Sequence, residues 1–84
     1  PNPFNPTTTI SFSVTQNSDF VTLEVYNIKG QKVKQLVNNQ LSAGKHSVIW
    51  NGKDNNGKSV TSGIYFYKMK AGKFTSTKKM ILLK

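Results

Sequence analysis

The sequence predicts an all-β antiparallel sandwich, and three features of the residue pattern carry this prediction. Apolar and polar residues alternate with a period of two, as at Ile10, Phe12 and Val14, which is typical of strands that bury one face. Clusters of Asn, Asp, Ser and Gly interrupt the alternation at intervals of about ten residues. Apolar stripes at helical spacing are no longer than about two turns. Six or seven short strands account for these features.

The first half of the chain contains four predicted strands. Alternation defines the first two, and Gly30 can take the positive φ that the hairpin after the second strand requires. In the third strand, Val33 and Leu36 are out of phase for a strict period of two, which predicts a bulge. Alternation resumes in the fourth strand and stops at Trp50. These strands cover residues 10–14, 21–26, 31–37 and 46–50, with turns predicted at 16–19, 27–30 and 38–44.

Two further strands, 64–70 and 74–83, follow the turn-rich segment 51–57, with a turn at 71–72 between them. Tyr65 and Tyr67 share one face of their strand and Phe66 lies on the other. An aromatic ring contributes most to stability when it is buried, so we expect Trp50 and Phe66 in the core.

The last strand is apolar on both faces, because Met, Ile, Leu and Leu follow one another at 80–83. Either the fold covers both faces, or one face stays available to another protein. Its position at the chain end favours recognition by strand addition, whereas its flanking lysines are equally consistent with protection against aggregation.

Composition limits the function classes. A chain of 84 residues forms one domain with a modest core, and without cysteine it has no disulfide and no thiolate metal site. Twelve lysines and no arginine give a net charge of +9, which favours anionic partners. Nucleic acid is disfavoured because specific contacts with bases and phosphates depend on the guanidinium group. We therefore expect no nucleic-acid binding.

No catalytic constellation is visible. The three acids, Asp19, Glu24 and Asp54, fall in separate turns or strands, and His46 has no neighbouring carboxylate in the sequence. The Asp-Asn-Asn-Gly run at 54–57 has oxygen ligands for calcium, but it lacks the spacing and the bidentate glutamate of a known calcium loop. A structural turn is the preferred interpretation. We expect neither an enzyme nor a bound cofactor or metal.

Several motifs together resemble a known family. They are Pro-Asn-Pro-Phe-Asn-Pro at 1–6, Val-Tyr-Asn-Ile-Lys-Gly-Gln at 25–31, Trp-Asn-Gly-Lys-Asp-Asn-Asn-Gly at 50–57, Ser-Gly-Ile-Tyr-Phe-Tyr at 62–67 and the lysine-flanked last strand. The chain resembles the type A C-terminal sorting domain of type IX secretion cargo. Its middle motifs are also similar to the immunoglobulin-like domain of the flagellar hook-capping protein. The first and last segments favour the sorting family.

The resemblance implies a seven-stranded immunoglobulin-like antiparallel β-sandwich over residues 8–84, preceded by a proline-rich entry segment at 1–7. It implies a monomeric module of a larger exported bacterial protein, recognised by the outer-membrane type IX translocon and cleaved by a sortase-like peptidase. The localisation would be secreted or on the outer cell surface, by way of the periplasm, and cleavage would allow the cargo to be attached to anionic cell-surface polysaccharide. The recognition residues of the family fall on Gly63, Tyr65, Lys79, Leu82, Leu83 and Lys84.

One position departs from the family, and a second function stays open. Family members carry a proline two residues before the glycine of the Pro-x-Gly-x-Tyr motif, where this chain has Thr61. The alternative function is a carbohydrate-binding or structural accessory sandwich of a secreted hydrolase, in which Tyr65 and Tyr67 stack on sugar rings.

Overall fold

The computed structural model describes residues 7–83, without the side chains of 16–18, and it contains four strands. They are β1 (Thr8–Tyr26), β2 (Lys32–Trp50), β3 (Gly63–Ala71) and β4 (Phe74–Leu82). All neighbours are antiparallel, in the order β2-β1-β3-β4. The prediction of an all-β antiparallel fold is confirmed, and the described part of the chain has no helix that could cross a membrane. The predicted entry segment 1–7 lies almost wholly outside the described residues.

Four long strands replace the six or seven short strands that the sequence predicts. The turn predicted at 16–19 is wrong, because β1 continues through this segment. Its ladder with β2 runs from the pair Val14 and Gly44 to the pair Ser18 and Ser42, so three residues of β1 lie opposite one residue of β2. Such a bulge bends a strand without reversing it. Alternation with an interruption looks the same in sequence whether the chain turns or bends.

The loop predicted at 38–44 is wrong for the same reason. These residues lie inside β2, where β1 supplies their pairing partners, and this pairing overrides a local composition that favours a loop. The bulge predicted near Leu36 is confirmed: Leu23 pairs with Val37 and Glu24 with Gln35, which leaves Leu36 as the extra residue. Val33 is extra in the same way, and both side chains pack against the core.

The bends divide the sheet into two segments that enclose the core. In the first segment, residues 8–14 of β1 pair with 44–50 of β2. In the second segment, residues 18–26 of β1 pair with β2, residues 21–26 pair with β3 as well, and β4 is outermost. The rings of Trp50 and Tyr65 meet edge to face across the core, 5.2 Å apart. One cluster joins both segments: Ile10, Val14, Val21, Leu23, Val25, Trp50, Tyr65, Met69, Ala71 and Leu82.

The two hairpin turns predicted at 27–30 and 71–72 are confirmed. The side-chain oxygen of Asn27 accepts hydrogen bonds from the backbone N–H groups of Lys29 and Gln31, which fixes the β1–β2 turn. The β3–β4 turn requires glycine at Gly72, where φ is +59° and a Cβ atom would lie 3.0 Å from Oδ1 of Asp19. This turn therefore packs closely against β1.

Candidate functional site

The two tyrosines proposed for recognition or sugar stacking share the inner face of β3. Tyr65 is buried, its hydroxyl donates to the carbonyl oxygen of Thr61 at 2.7 Å, and its ring lies against Trp50. It therefore presents no ring face to a ligand. Tyr67 is half-buried and lines an open groove between the two segments. The tyrosines do not form an exposed platform.

Of the two aromatic residues predicted to lie in the core, Trp50 is confirmed and Phe66 is wrong. Trp50 is fully buried, and its indole N–H donates to the carbonyl oxygen of Lys53 at 2.9 Å. Phe66 was expected in the core and is not there. Its alternation places it on the outer face of β3, half-buried and opposite Lys79. Two adjacent aromatic residues of a strand cannot both face the same core.

The remaining residues of the predicted recognition set are dispersed. Gly63 begins β3 directly opposite Leu82, which belongs to the core. Lys79 is exposed on the outer face, and Leu83 is exposed beyond the end of β4. Lys84 lies outside the described residues. The set therefore does not form one surface, since its members divide between core and solvent.

His46 and Asp54 both serve local structure. The ring of His46 stacks on Phe12 at 5.6 Å, and its Nε2 donates to the carbonyl oxygen of Ser42 at 2.8 Å. Oδ1 of Asp54 accepts hydrogen bonds from the backbone N–H groups of Asn56 and Lys58, both at 2.9 Å. Segment 54–57 is a structural turn, as preferred. Within the described residues no group of three or more acidic or histidine side chains is placed to hold a metal.

Glu24 is the centre of a polar network on the outer face. Its carboxylate pairs with Lys32 at 2.8 Å and accepts hydrogen bonds from the Tyr26 hydroxyl at 2.8 Å and from Nε2 of Gln35 at 3.0 Å. The bond from Lys32 lowers the pKa of Glu24, against the opposing effect of burial. The hydrogen bond to Glu24 raises the pKa of Tyr26 and that of Lys32. This network joins β1 to β2.

An exposed apolar surface lies beside the Glu24 network. Ile28 is 72% exposed at the tip of the β1–β2 turn and lines the same shallow depression as Ile64. Ile64 pairs with Ile81 on the outer face, and Leu83, which is 76% exposed, lies just beyond the end of β4. We call Ile28, Ile64, Ile81 and Leu83 the isoleucine patch. Of the two alternatives for the last strand, the structure shows the one with a face open to solvent.

A groove of about 800 Å³ opens on the other side of the sheet, between the first segment and β4. Its floor is apolar, with Tyr67, Met69 and Ala71 of β3. Phe12 and the serines beside it on β1 form one wall, and Phe74 stands on the other. We call this the inner groove. Sequence reasoning missed it, because it depends on which strand edges remain unpaired.

These features define an immunoglobulin-like all-β domain without a recognisable catalytic centre in its described part. The family model of the FlgD Ig-like domain matches residues 2–74, and the chain belongs to this family. The crystal structure of FLGD from P. aeruginosa is similar at 28% identity, with a TM-score of 0.71. The match covers 90% of this chain and 59% of that chain. No curated protein matches the chain.

The family match overturns the expected function. The prediction of a type IX sorting domain is wrong, and with it the predicted translocon and sortase-like peptidase as partners. The alternative prediction of a carbohydrate-binding or accessory sandwich is also wrong. The middle motifs are shared between the two families, and only the first and last segments of the chain favoured the sorting family. The last segment, residues 78–84, lies beyond the matched residues 2–74, whereas most of the first segment lies within them. A short apolar strand flanked by lysines is too common a pattern to separate two related sandwiches.

Proposed function

We propose that this chain is the immunoglobulin-like domain of a flagellar hook-capping protein, and that it works as a non-catalytic scaffold in hook assembly. The observation that carries the proposal is the match to the FlgD Ig-like domain over residues 2–74. The similarity to FLGD over 90% of this chain supports it. Its partners would be the neighbouring protein subunits of the hook, and its location the outside of the cell.

The use of the polar residues supports a scaffold rather than an enzyme. Glu24 is occupied by Lys32, Tyr26 and Gln35, and His46 by a carbonyl oxygen and a stacked ring. A catalytic acid or base needs a free hydrogen-bonding position facing a substrate. These groups instead hold the strands together, which is the role expected in a structural domain.

The isoleucine patch is the contact surface that we assign to the scaffold. An apolar patch on a strand face and a rigid turn tip loses little conformational entropy when a partner covers it. Lys29 and Lys79 lie beside it and are exposed. Their charge favours a subunit with acidic residues around an apolar centre.

Deletion in the host tests the proposed function. The full-length protein would be produced with and without residues 8–83, and hooks on the cell surface would be counted by electron microscopy. We expect the deletion to abolish hooks while hook subunits accumulate in the medium. Normal hooks made by cells that contain the truncated protein at its usual level would refute the proposal.

A matched pair of variants tests the patch separately. Ile81 is 58% exposed inside the patch, and Ile49 is 62% exposed on β2 outside it. Both side chains project from strands into solvent, so Ile81→Glu and Ile49→Glu should fold equally well. We expect only Ile81→Glu to reduce hook number. Equal hook numbers in both strains would remove the patch from the proposal.

A further inference from the structure

The first segment of β1 has a strand edge that no described residue occupies. Residues 8–14 pair with β2 on one side, whereas β3 pairs with β1 only from Val21 to Tyr26. In an antiparallel ladder, alternate residues direct their N–H and C=O groups away from their partner. Along 8–14, these groups therefore point away from β2 without a neighbouring strand among residues 7–83. Such an edge is a template for one more strand.

The inner groove runs along this edge. Ser11, Phe12 and Ser13 all line it, and consecutive side chains of a strand point to opposite faces. A space that all three border must therefore lie beside the strand rather than above one face. The opposite wall belongs to β4, whose own outer edge is also unpaired among the described residues. An additional strand would fit between the two walls of the groove.

The lining of the groove indicates which side chains such a strand carries. The floor formed by Tyr67, Met69 and Ala71 is apolar, and Phe74 remains 59% exposed above it. Every second side chain of an entering strand would cover this floor, so apolar residues are favoured at alternate positions. Lys73 and Lys78 stand at the rim, against one carboxylate, Asp19. Acidic residues are favoured at the positions between.

We propose that the inner groove binds an extended segment of a partner protein with alternating apolar and acidic residues. This segment pairs with the free edge of residues 8–14 of β1, on the side opposite β2. Backbone hydrogen bonds to residues 8–14 provide the register, and the lysine rim selects the acidic face. The inference goes beyond the proposed function and does not depend on the isoleucine patch, which lies on the outer face.

A second copy of this chain is the occupant that the charges disfavour. The chain carries a net charge of +9, and a strand of another copy would bring lysines against the lysine rim. An acidic segment gains from the same rim. The two occupants can therefore be distinguished by measuring whether the groove prefers acidic or basic peptides.

Peptide binding to the 84-residue chain tests the proposal. The probe is a fluorescein-labelled peptide of about nine residues, close to the length of a long strand, with alternating Val and Glu. Fluorescence anisotropy should show saturable binding that weakens with salt, and hydrogen exchange should show new protection within residues 8–14. The same peptide with Lys in place of Glu should not bind. Equal binding of both peptides, or of neither, would overturn the proposal.

Backbone pairing is tested without changing the protein. Two peptides would carry N-methyl groups on alternate residues, one set on each edge of the extended strand. Methylation of the edge that faces β1 should abolish binding, and methylation of the other edge should leave it intact. If both peptides bind like the parent, the strand does not add to β1 and the proposal fails.

Two exposed phenylalanines provide a matched pair of variants. Phe74 lines the groove, whereas Phe20, which is 54% exposed, precedes the buried Val21 on β1 and therefore lies on the opposite face of the sheet. Phe74→Ala should weaken peptide binding about tenfold and Phe20→Ala should not change it. A joint Lys73→Glu and Lys78→Glu variant should weaken it further, with Lys58→Glu as the neutral control. Equal effects of the two alanine variants, or a dimer of the free chain in sedimentation, would overturn the proposal.

Discussion

The two segments of β1 share an alternation of apolar and polar residues but differ in their surroundings. Residues 21–26 lie between β2 and β3, and their inward side chains, Val21, Leu23 and Val25, are completely buried. Within the described part of the chain, residues 8–14 have one neighbouring strand; Ile10 and Val14 are buried there, but Phe12 between them is only half-buried. Beside the strand edge that no described residue occupies, the inward side chain of Phe12 stays partly open although the alternation continues. We therefore expect stability and binding to depend on different segments.

The largest difference in free energy of unfolding is expected between substitutions of inward-facing residues in the two segments. Leu23→Ala should lower the free energy of unfolding by about 3 kcal/mol, because it leaves a cavity enclosed on both sides. Phe12→Ala should cost about half as much, because its ring is already partly hydrated in the groove. Urea unfolding followed by tryptophan fluorescence measures both. A larger loss for Phe12→Ala would contradict the comparison.

The second largest effect on the free energy of unfolding is expected at Gly72, where the turn packs against Asp19. Gly72→Ala should cost about 2 kcal/mol, because alanine is strained at φ +59° and its Cβ meets the Asp19 carboxylate. Gly57→Ala is the control: φ is +80° there, and nothing lies within 4 Å of the added Cβ atom, so about 1 kcal/mol is expected. Thermal unfolding of both variants separates backbone strain from the steric contact, and equal losses would exclude the latter.

A pH-dependent contribution to stability is expected from Glu24 in the second segment. Its pKa is lower in the folded chain, so its stabilising effect is present above the pKa of the unfolded state and is lost as pH falls through the folded value. Glu24→Gln should therefore cost about 1 kcal/mol at neutral pH and much less at acidic pH. Urea midpoints of both proteins, measured across acidic and neutral pH, check this. A difference that persists unchanged at low pH would disprove the assignment.

The smallest effects are expected on the outer surfaces of both segments. Ile49→Ser in the first segment and Ile64→Ser in the second should each change the free energy of unfolding by less than about 0.5 kcal/mol, since both side chains are exposed. Chemical unfolding checks this. A substantially larger loss for Ile64→Ser would mean that the isoleucine patch stabilises the fold and is less free to bind a partner.

Local pattern was enough to predict the all-β class, the burial of Trp50 and the bulge at Leu36. It failed at 16–19 and 38–44, because turn-forming residues look the same in a bend whose two strands stay paired. It also failed for Phe66, since alternation gives the two faces of a strand but not which face is covered. The inner groove follows from unpaired edges and from contacts between distant parts of the chain. Such contacts have no signal within a window of ten or twenty residues.

The chain order of the strands has a consequence for how the domain assembles. β1 and β2 form one hairpin closed by the turn at Asn27, and β3 and β4 form another closed by Gly72. A single seam of six residue pairs, Val21 to Tyr26 against Phe66 to Ala71, joins them within the sheet. Each hairpin can zip outward from its own turn, because its first contacts are between near neighbours in sequence. We therefore expect the two hairpins to dock along that seam after each hairpin has formed.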